Sequence, residues 1–329
     1  MALALIVTPL GPELIVSSFQ SRFYYKSDDR TRVIKIYQPK NVYPGVLDLS
    51  NSSIRDEVIQ RELDCVGILA SEASPTGTHS IEQGRLLRGI EVDYIQQGNF
   101  LETILNRGES VSNSVYRNIA EKVASFHFNE KVCPSSQVES MTSYLYRLMA
   151  IETKLLMDWY PHISSKAIKW FKTMQGYLRL HSETLEEFRY LTGEPIKAHG
   201  DIEPVNVAIN NEGNSLILDS APVPLWRHNL MIMDVEFLGV DLLIRGLDRS
   251  REALMSAYNQ AYYRNLKHKG LGQQSLSEVE KARDILDEIT KIYRLTNFLR
   301  LSQPGLRNQP EKISICESLL DEAYTRISQ

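Results

Sequence analysis

AHGDIEPVN, residues 198–206, is the most informative stretch of the sequence, and LILD follows it at residues 216–219. Together they place an acid at Asp201, an amide five residues later at Asn206, and a second acid thirteen residues further on at Asp219. The apolar run before Asp219 predicts a short buried strand that ends at this acid. Because Gly200 and Pro204 are typical turn residues, an ordinary polar turn is the alternative interpretation.

The spacing of these three residues matches the chemistry of phosphoryl transfer in protein-kinase-like folds. There an acid orients the attacking hydroxyl and accepts its proton, while Mg²⁺ on the nucleotide phosphates takes a few hard oxygen ligands. Asp201 would be the base, and Asn206 and Asp219 would supply the oxygens. The alternatives are an Asx turn at Asn206 and a strand-end cap at Asp219.

The residue pattern changes along the chain. Residues 1–97 are strand-rich: β-branched and aromatic runs predict strands at 13–19, 22–26, 33–37 and 86–92, and an apolar periodicity predicts one helix over 54–70. Residues 98–329 contain helical patterns at about 113–126, 138–158, 164–189, 250–266 and 275–302. We therefore predict an α+β fold with a small sheet-containing nucleotide-binding lobe that ends in a hinge, and a large helical catalytic and substrate-binding lobe.

Lys35 lies in the predicted strand 33–37 between two isoleucines. Most strand lysines face solvent, and one that points between apolar neighbours is costly unless it is paired. Glu62 lies in the next helix, where kinase folds place the acid that directs the lysine towards the α- and β-phosphates. Glu57 and Asp64 are competing acids on that helix, and a solvated position is the alternative for Glu62.

The composition argues against several other classes of protein. Three cysteines without a C-x-x-C pair indicate neither a zinc knuckle nor a disulfide framework, and they favour a cytoplasmic location. A net charge of −4 and the lack of a Lys/Arg cluster argue against a nucleic-acid partner. The apolar N-terminal segment is brief, so we predict neither a signal peptide nor a membrane span. The sequence contains no G-x-x-x-x-G-K-[ST] motif, which argues against a P-loop NTPase.

These residues resemble the aminoglycoside phosphotransferase-like (choline-kinase-like) small-molecule kinases. The catalytic loop of that family typically reads His-Gly-Asp-Leu-His-x-x-Asn and precedes a strand that ends in Asp. The similarity also includes Val33-Ile34-Lys35-Ile36, Arg61-Glu62-Leu63 and the segment from Asp234 to Gly246, and so covers nearly the whole chain. It is greatest to a bacterial branch that is often fused to a C-terminal ATP-binding P-loop half.

The resemblance implies an enzyme that transfers the γ-phosphate of Mg-ATP to an alcohol group of a small molecule. It implies the following roles: Asp201 as the base, Lys35 at the phosphates, Glu62 orienting that lysine, Asn206 and Asp219 as Mg²⁺ ligands, and the hinge around Asp93 and Ile95 at the adenine.

The sequence also departs from the family pattern. Glu203 replaces the usual histidine of the catalytic loop, and Ser220-Ala221-Pro222 follows Asp219 without the common aromatic or acidic residue. The alternative is therefore a catalytically weak or inactive protein with the kinase fold, whose function is to bind nucleotide or to act as a scaffold. A protein kinase is less consistent with the sequence, because the glycine-rich loop and the Ala-Pro-Glu segment are missing.

Overall fold

The structure is a computed structural model of the 329-residue chain. It describes residues 10–17, 21–26, 29–39, 41–43, 47–82, 85–129, 140–159, 163–192, 199–218, 231–301 and 310–329. These residues form two compact units. The first contains the described residues up to Val111 together with Asn129 and residues 199–218, and the second contains Ser112–Phe128 and the remaining helices. The predicted functional division at residue 97 stays a prediction.

The first unit is built around a five-stranded antiparallel sheet in the order β1-β2-β3-β7-β6. Its strands are β1 (Leu10–Ser17), β2 (Ser21–Lys26), β3 (Asp29–Tyr37), β6 (Thr76–Glu82) and β7 (Arg85–Asp93), while β4 (Asn41–Tyr43) and β5 (Leu47–Asp48) form a separate pair. Strand β3 lies at the centre of the sheet, where Lys35 is opposite Phe23 of β2 and Ile90 of β7. The strands predicted at 22–26, 33–37 and 86–92 are confirmed.

Strand β6 is an edge strand that the sequence pattern does not predict. Its residues are mostly polar, yet Thr78 and Ser80 are buried while Thr76 and Gly77 are exposed. β6 pairs with β7 from Thr76 to Glu82, so the ladder compensates for a weak apolar pattern. The strand therefore depends on its tertiary partner, as is common for strands of low intrinsic propensity.

Helix α1 (Ser52–Leu69) confirms the helix predicted over residues 54–70. It begins after Asn51, whose side-chain oxygen accepts a hydrogen bond from the Ser53 N–H at 2.9 Å and so caps the helix. One core cluster joins the helix to the sheet through Tyr37, Leu49, Val58, Ile59 and Ile90. This shared core fixes the side chains of β3 relative to those of α1.

A short hairpin follows the loop of residues 199–206, here called the catalytic loop after the role that the sequence analysis predicts for it. It consists of β8 (Val207–Ile209) and β9 (Ser215–Ile217), and β9 agrees with the strand predicted before Asp219. The hairpin packs against the C-terminal end of α1 in a cluster of Val66, Ala70, Ala73, Ala208 and Leu216. Helix α1 therefore contacts the central sheet along one part and the hairpin along another.

The second unit is helical in its described residues. Its helices are α3 (Asn113–His127), α4 (Met141–Trp159), α5 (Ser164–Leu180), α6 (Ser182–Thr192), α7 (Met231–Ile244), α8 (Asp248–His268), α9 (Gln273–Leu301) and α10 (Pro310–Ile327), whereas the short α2 (Leu101–Asn106) belongs to the first unit. The predicted α+β organisation is thus confirmed. In the described part of the chain, no helix is both long enough and apolar enough to span a membrane.

The helical unit differs from the sequence prediction in three places. The segment predicted as one helix over 164–189 is two helices that meet at His181. Helix α7 was not predicted. It is apolar on most of its surface and buried at many positions, so it lacks the amphipathic period that identifies a surface helix. Helix α10 was not predicted either, although Pro310 at its first position is a typical helix start.

Candidate active site

Lys35 and Glu62 form a buried ion pair. Lys35 Nζ lies 2.8 Å from Glu62 Oε1 and 2.9 Å from Oε2, so both carboxylate oxygens contact the ammonium group. The two side chains are each 4% exposed. At this depth an unpaired charge is costly, whereas a charge-assisted pair with good geometry is tolerated. The structure thus brings together the two residues that the sequence analysis linked, while Glu57 is exposed and Asp64 accepts a hydrogen bond from Gln60.

Two aromatic rings surround the ammonium group of Lys35. The Tyr37 ring centroid lies 4.8 Å from Nζ and the Phe23 centroid 5.6 Å, which are distances typical of cation–π contacts. The Tyr37 hydroxyl also donates a hydrogen bond to Glu62 Oε2. Tyr37 was missed in the sequence analysis, although its position two residues after Lys35 places it on the same face of β3.

Asp201 and Asn206 contact each other within the catalytic loop. Asn206 Nδ2 donates to the Asp201 main-chain oxygen at 2.9 Å and to Asp201 Oδ2 at 3.0 Å. Gly200 adopts a φ of +86°, a conformation in which a side chain is unfavourable, and a 3₁₀ turn over Pro204–Asn206 closes the loop. The loop therefore places the predicted base and the predicted metal-binding amide side by side.

Asp219 lies outside the described residues. Its neighbour Leu218 is described, and the Leu218 N–H donates to the Asn206 main-chain oxygen at 2.8 Å. The chain therefore returns to Asn206 one residue before Asp219. The role of Asp219 as a metal ligand stays a prediction.

The two predicted hinge residues have different surroundings. Asp93 is the last residue of β7. Its carboxylate pairs with Arg32 Nη1 at 2.5 Å, and its side chain is 43% exposed. Ile95 is half-buried and packs against the cluster that joins α1 to the hairpin. Arg32 also contacts Glu91 at 2.5 Å and the Ser74 main-chain oxygen at 2.9 Å, and thereby anchors the start of this segment. The binding of adenine by Asp93 and Ile95 stays a prediction.

The chemistry of the catalytic loop fits a divalent cation such as Mg²⁺. Both hydrogen bonds of the Asn206 side chain run from its nitrogen to Asp201, and within the described residues no donor reaches its oxygen. An amide oxygen held in this way is a suitable hard ligand for Mg²⁺. No group of three or more His, Cys, Asp or Glu side chains in the described part of the chain could hold a metal ion. Asp219, the other predicted ligand, lies outside these residues, and Mg²⁺ commonly completes its coordination with oxygens of a bound phosphate and water.

The helical unit contains a separate buried polar cluster. His127 Nε2 lies 2.8 Å from Asp234 Oδ2, and His127 Nδ1 lies 2.8 Å from the Tyr258 hydroxyl. We assign the ring proton to Nε2, because the carboxylate can only accept, so Nδ1 accepts from the tyrosine. Burial is the largest influence on His127 and lowers its pKa, although Asp234 opposes this shift. The cluster connects α3, α7 and α8 through three buried side chains.

No protein-family model matches the sequence, and no curated protein matches it either. The fold, however, matches solved structures. A glucosamine kinase (crystal form B) aligns with 91% of this chain and 75% of its own, at a TM-score of 0.55 and 13% identity. A glucosamine kinase in complex with glucosamine, ADP and inorganic phosphate aligns with 98% of this chain and 77% of its own, at a TM-score of 0.53 and 12% identity. An ethanolamine kinase from Plasmodium vivax aligns with 97% of this chain and 83% of its own, at a TM-score of 0.49 and 10% identity.

The chain therefore has the protein-kinase-like two-lobed α+β fold, with a small antiparallel sheet and a large helical part. Both glucosamine kinase structures align with it at TM-scores above 0.5. At identities of 12% and 13% the similarity shows the fold alone.

Proposed function

We propose that this protein is an ATP-dependent small-molecule kinase that uses Mg²⁺. The proposal rests mainly on the buried Lys35–Glu62 pair, which lies in the same compact unit as the contacting residues Asp201 and Asn206. A buried lysine is retained at a desolvation cost, and the binding of phosphate oxygens is a function that repays this cost. The loop and the pair together supply the components that phosphoryl transfer requires.

In the proposed reaction, Asp201 accepts the proton of the acceptor hydroxyl, whose oxygen attacks the γ-phosphorus. The bond between that phosphorus and the β,γ-bridging oxygen breaks, and ADP is the leaving group. Lys35 binds α- and β-phosphate oxygens, and Glu62 orients Lys35. Asn206 and Asp219 would hold Mg²⁺, which would supply positive charge against the phosphate oxygens. Asp93 and Ile95 belong to the segment that contacts the adenine.

The acceptor is a small molecule with a hydroxyl group. The ligands of a glucosamine kinase with the same fold, glucosamine and ADP, make amino sugars the first compounds to test. Aminoglycosides and amino alcohols complete the set that the family resemblance suggests. A relationship to the bacterial branch that is often fused to a P-loop half, and a cytoplasmic location, remain part of this proposal.

The test combines binding and turnover. Titration with Mg-ATP, followed by a phosphate-transfer screen over these hydroxyl compounds, is expected to show binding and at least one phosphorylated product. Asp201→Asn preserves the shape of the side chain and should reduce turnover by about 10²–10⁴-fold. Glu212→Gln, at an exposed position of the turn between β8 and β9, is the matched control and should leave turnover unchanged. Binding of Mg-ATP without turnover would instead support the non-catalytic, nucleotide-binding alternative.

A further inference from the structure

Tyr37 occupies a position from which it can control the Lys35–Glu62 pair. Strand β3 alternates its side chains between two faces, so Tyr37 and Lys35 point to the same side. Helix α1 presents Glu62 to that side, and the Tyr37 hydroxyl donates to Glu62 Oε2. The carboxylate is thereby bound from two directions, by the ammonium group and by the phenol.

The environment of Tyr37 makes this contact rigid. The residue is 0% exposed and belongs to the core cluster that contains Val58 and Ile59 of α1 and Ile90 of β7. A buried phenol ring has little rotational freedom, and its hydroxyl requires a partner. The position of the hydroxyl is therefore set by the packing of the core, independently of any ligand.

We propose that Tyr37 is a positioning residue that keeps Glu62 in place while Lys35 binds nucleotide phosphates. Phosphate oxygens compete with the carboxylate for the ammonium group of Lys35, because both are anionic acceptors. Loss of the Tyr37 hydroxyl would remove one anchor of Glu62 that persists when a phosphate attracts Lys35. The Tyr37 hydroxyl keeps the carboxylate on the β3 side of α1, so Glu62 continues to orient the lysine. This inference rests on the proposed function, since it assigns Lys35 to phosphate binding.

The test compares affinities for ATP and adenosine, of which adenosine has no phosphate. Tyr37→Phe keeps the ring and its packing but removes the hydroxyl. We expect it to weaken ATP binding by about tenfold, the size expected for a hydrogen bond to a charged group, and to leave adenosine binding unchanged. Tyr116→Phe is the matched control, because Tyr116 is also a buried tyrosine, 1% exposed, and lies in the helical unit. The control should leave the ratio of ATP to adenosine affinity unchanged.

A double-mutant cycle shows whether Tyr37 acts through Glu62. In a Glu62→Gln background, the additional change Tyr37→Phe should weaken ATP binding by less than in the wild type, because the charged acceptor is already gone. An equal effect in both backgrounds, or an unchanged ATP-to-adenosine ratio in Tyr37→Phe, would overturn the positioning role. If the wild-type protein binds adenosine and ATP equally, the phosphate-binding role of Lys35 fails first, and the inference fails with it.

Discussion

Asn206 Nδ2 bridges the main-chain oxygen and the carboxylate of Asp201, at 2.9 and 3.0 Å. One amide group thus fixes both the backbone and the side chain of the proposed base. The amide oxygen of Asn206 is left for a different partner, which in the proposed mechanism is the metal ion. The two residues therefore form one hydrogen-bonded unit, although they are five positions apart in the chain.

Replacement of Asn206 should consequently affect catalysis more than stability. We expect Asn206→Ala to lower kcat by about 10²-fold or more, because Asp201 loses its orientation and the metal loses a ligand. The Mg²⁺ concentration that gives half of the maximal rate should also rise. Steady-state kinetics over a range of Mg²⁺ concentrations measures both effects. The control is Asn214→Ala in the hairpin turn, and an equal loss in that variant would argue against a specific role for Asn206.

Removal of one partner of the buried pair should be worse for folding than removal of the charge from both. Lys35→Met leaves Glu62 as a buried carboxylate without its cation, which typically costs about 3–5 kcal/mol. The double variant Lys35→Met/Glu62→Gln should recover most of this free energy of unfolding but not the affinity for ATP. Urea denaturation and ATP titration of the same three proteins test this separation. Restored ATP binding in the double variant would contradict the proposed role of Lys35.

Gly89 of β7 allows a close approach to the neighbouring strand β3. A Cβ atom at this position would lie 2.4 Å from the Lys35 main-chain oxygen, a distance that real Cβ atoms do not show. We therefore expect Gly89→Ala to destabilise the protein by about 1–3 kcal/mol as the backbone shifts. Gly67→Ala is the matched control, since its Cβ meets no atom within 4 Å and alanine favours the helix by about 1 kcal/mol. Thermal or urea unfolding should show a lower free energy of unfolding for Gly89→Ala and a higher one for Gly67→Ala.

The buried His127 should make stability depend on pH. Its pKa in the folded protein is lowered by burial, so the folded state resists protonation that the unfolded chain accepts near its ordinary pKa of about 6.5. As the pH falls below that value, the unfolded state binds the extra proton and the free energy of unfolding decreases, by up to about 1.4 kcal/mol per pH unit for one group. Urea denaturation between pH 5 and 8, values chosen around that pKa, measures the slope. His127→Gln should flatten this part of the curve, and an unchanged slope would assign it to other groups.

The sequence predicts those parts of the fold whose signals are local. Helix α1 follows from its apolar period, and β3 follows from its β-branched residues. Strand β6 and helix α7 do not follow, because pairing with β7 stabilises the first and burial on most sides hides the period of the second. For the candidate site, the spacing identified Asp201 and Asn206. The hydroxyl contact of Tyr37 with Glu62 depends on how α1 packs against the sheet, which no local pattern encodes.

The hairpin that follows the catalytic loop pairs only three residues on each strand, Val207–Ile209 with Ser215–Ile217. Such a short ladder has little stability of its own, so the hairpin depends on the side chains at the end of α1 that cover it. In native-state hydrogen exchange, we therefore expect the amides of the hairpin and of the last turns of α1 to become exposed together, as one cooperative opening unit. Local unfolding of that helix end would thus release the catalytic loop while the central sheet remains folded.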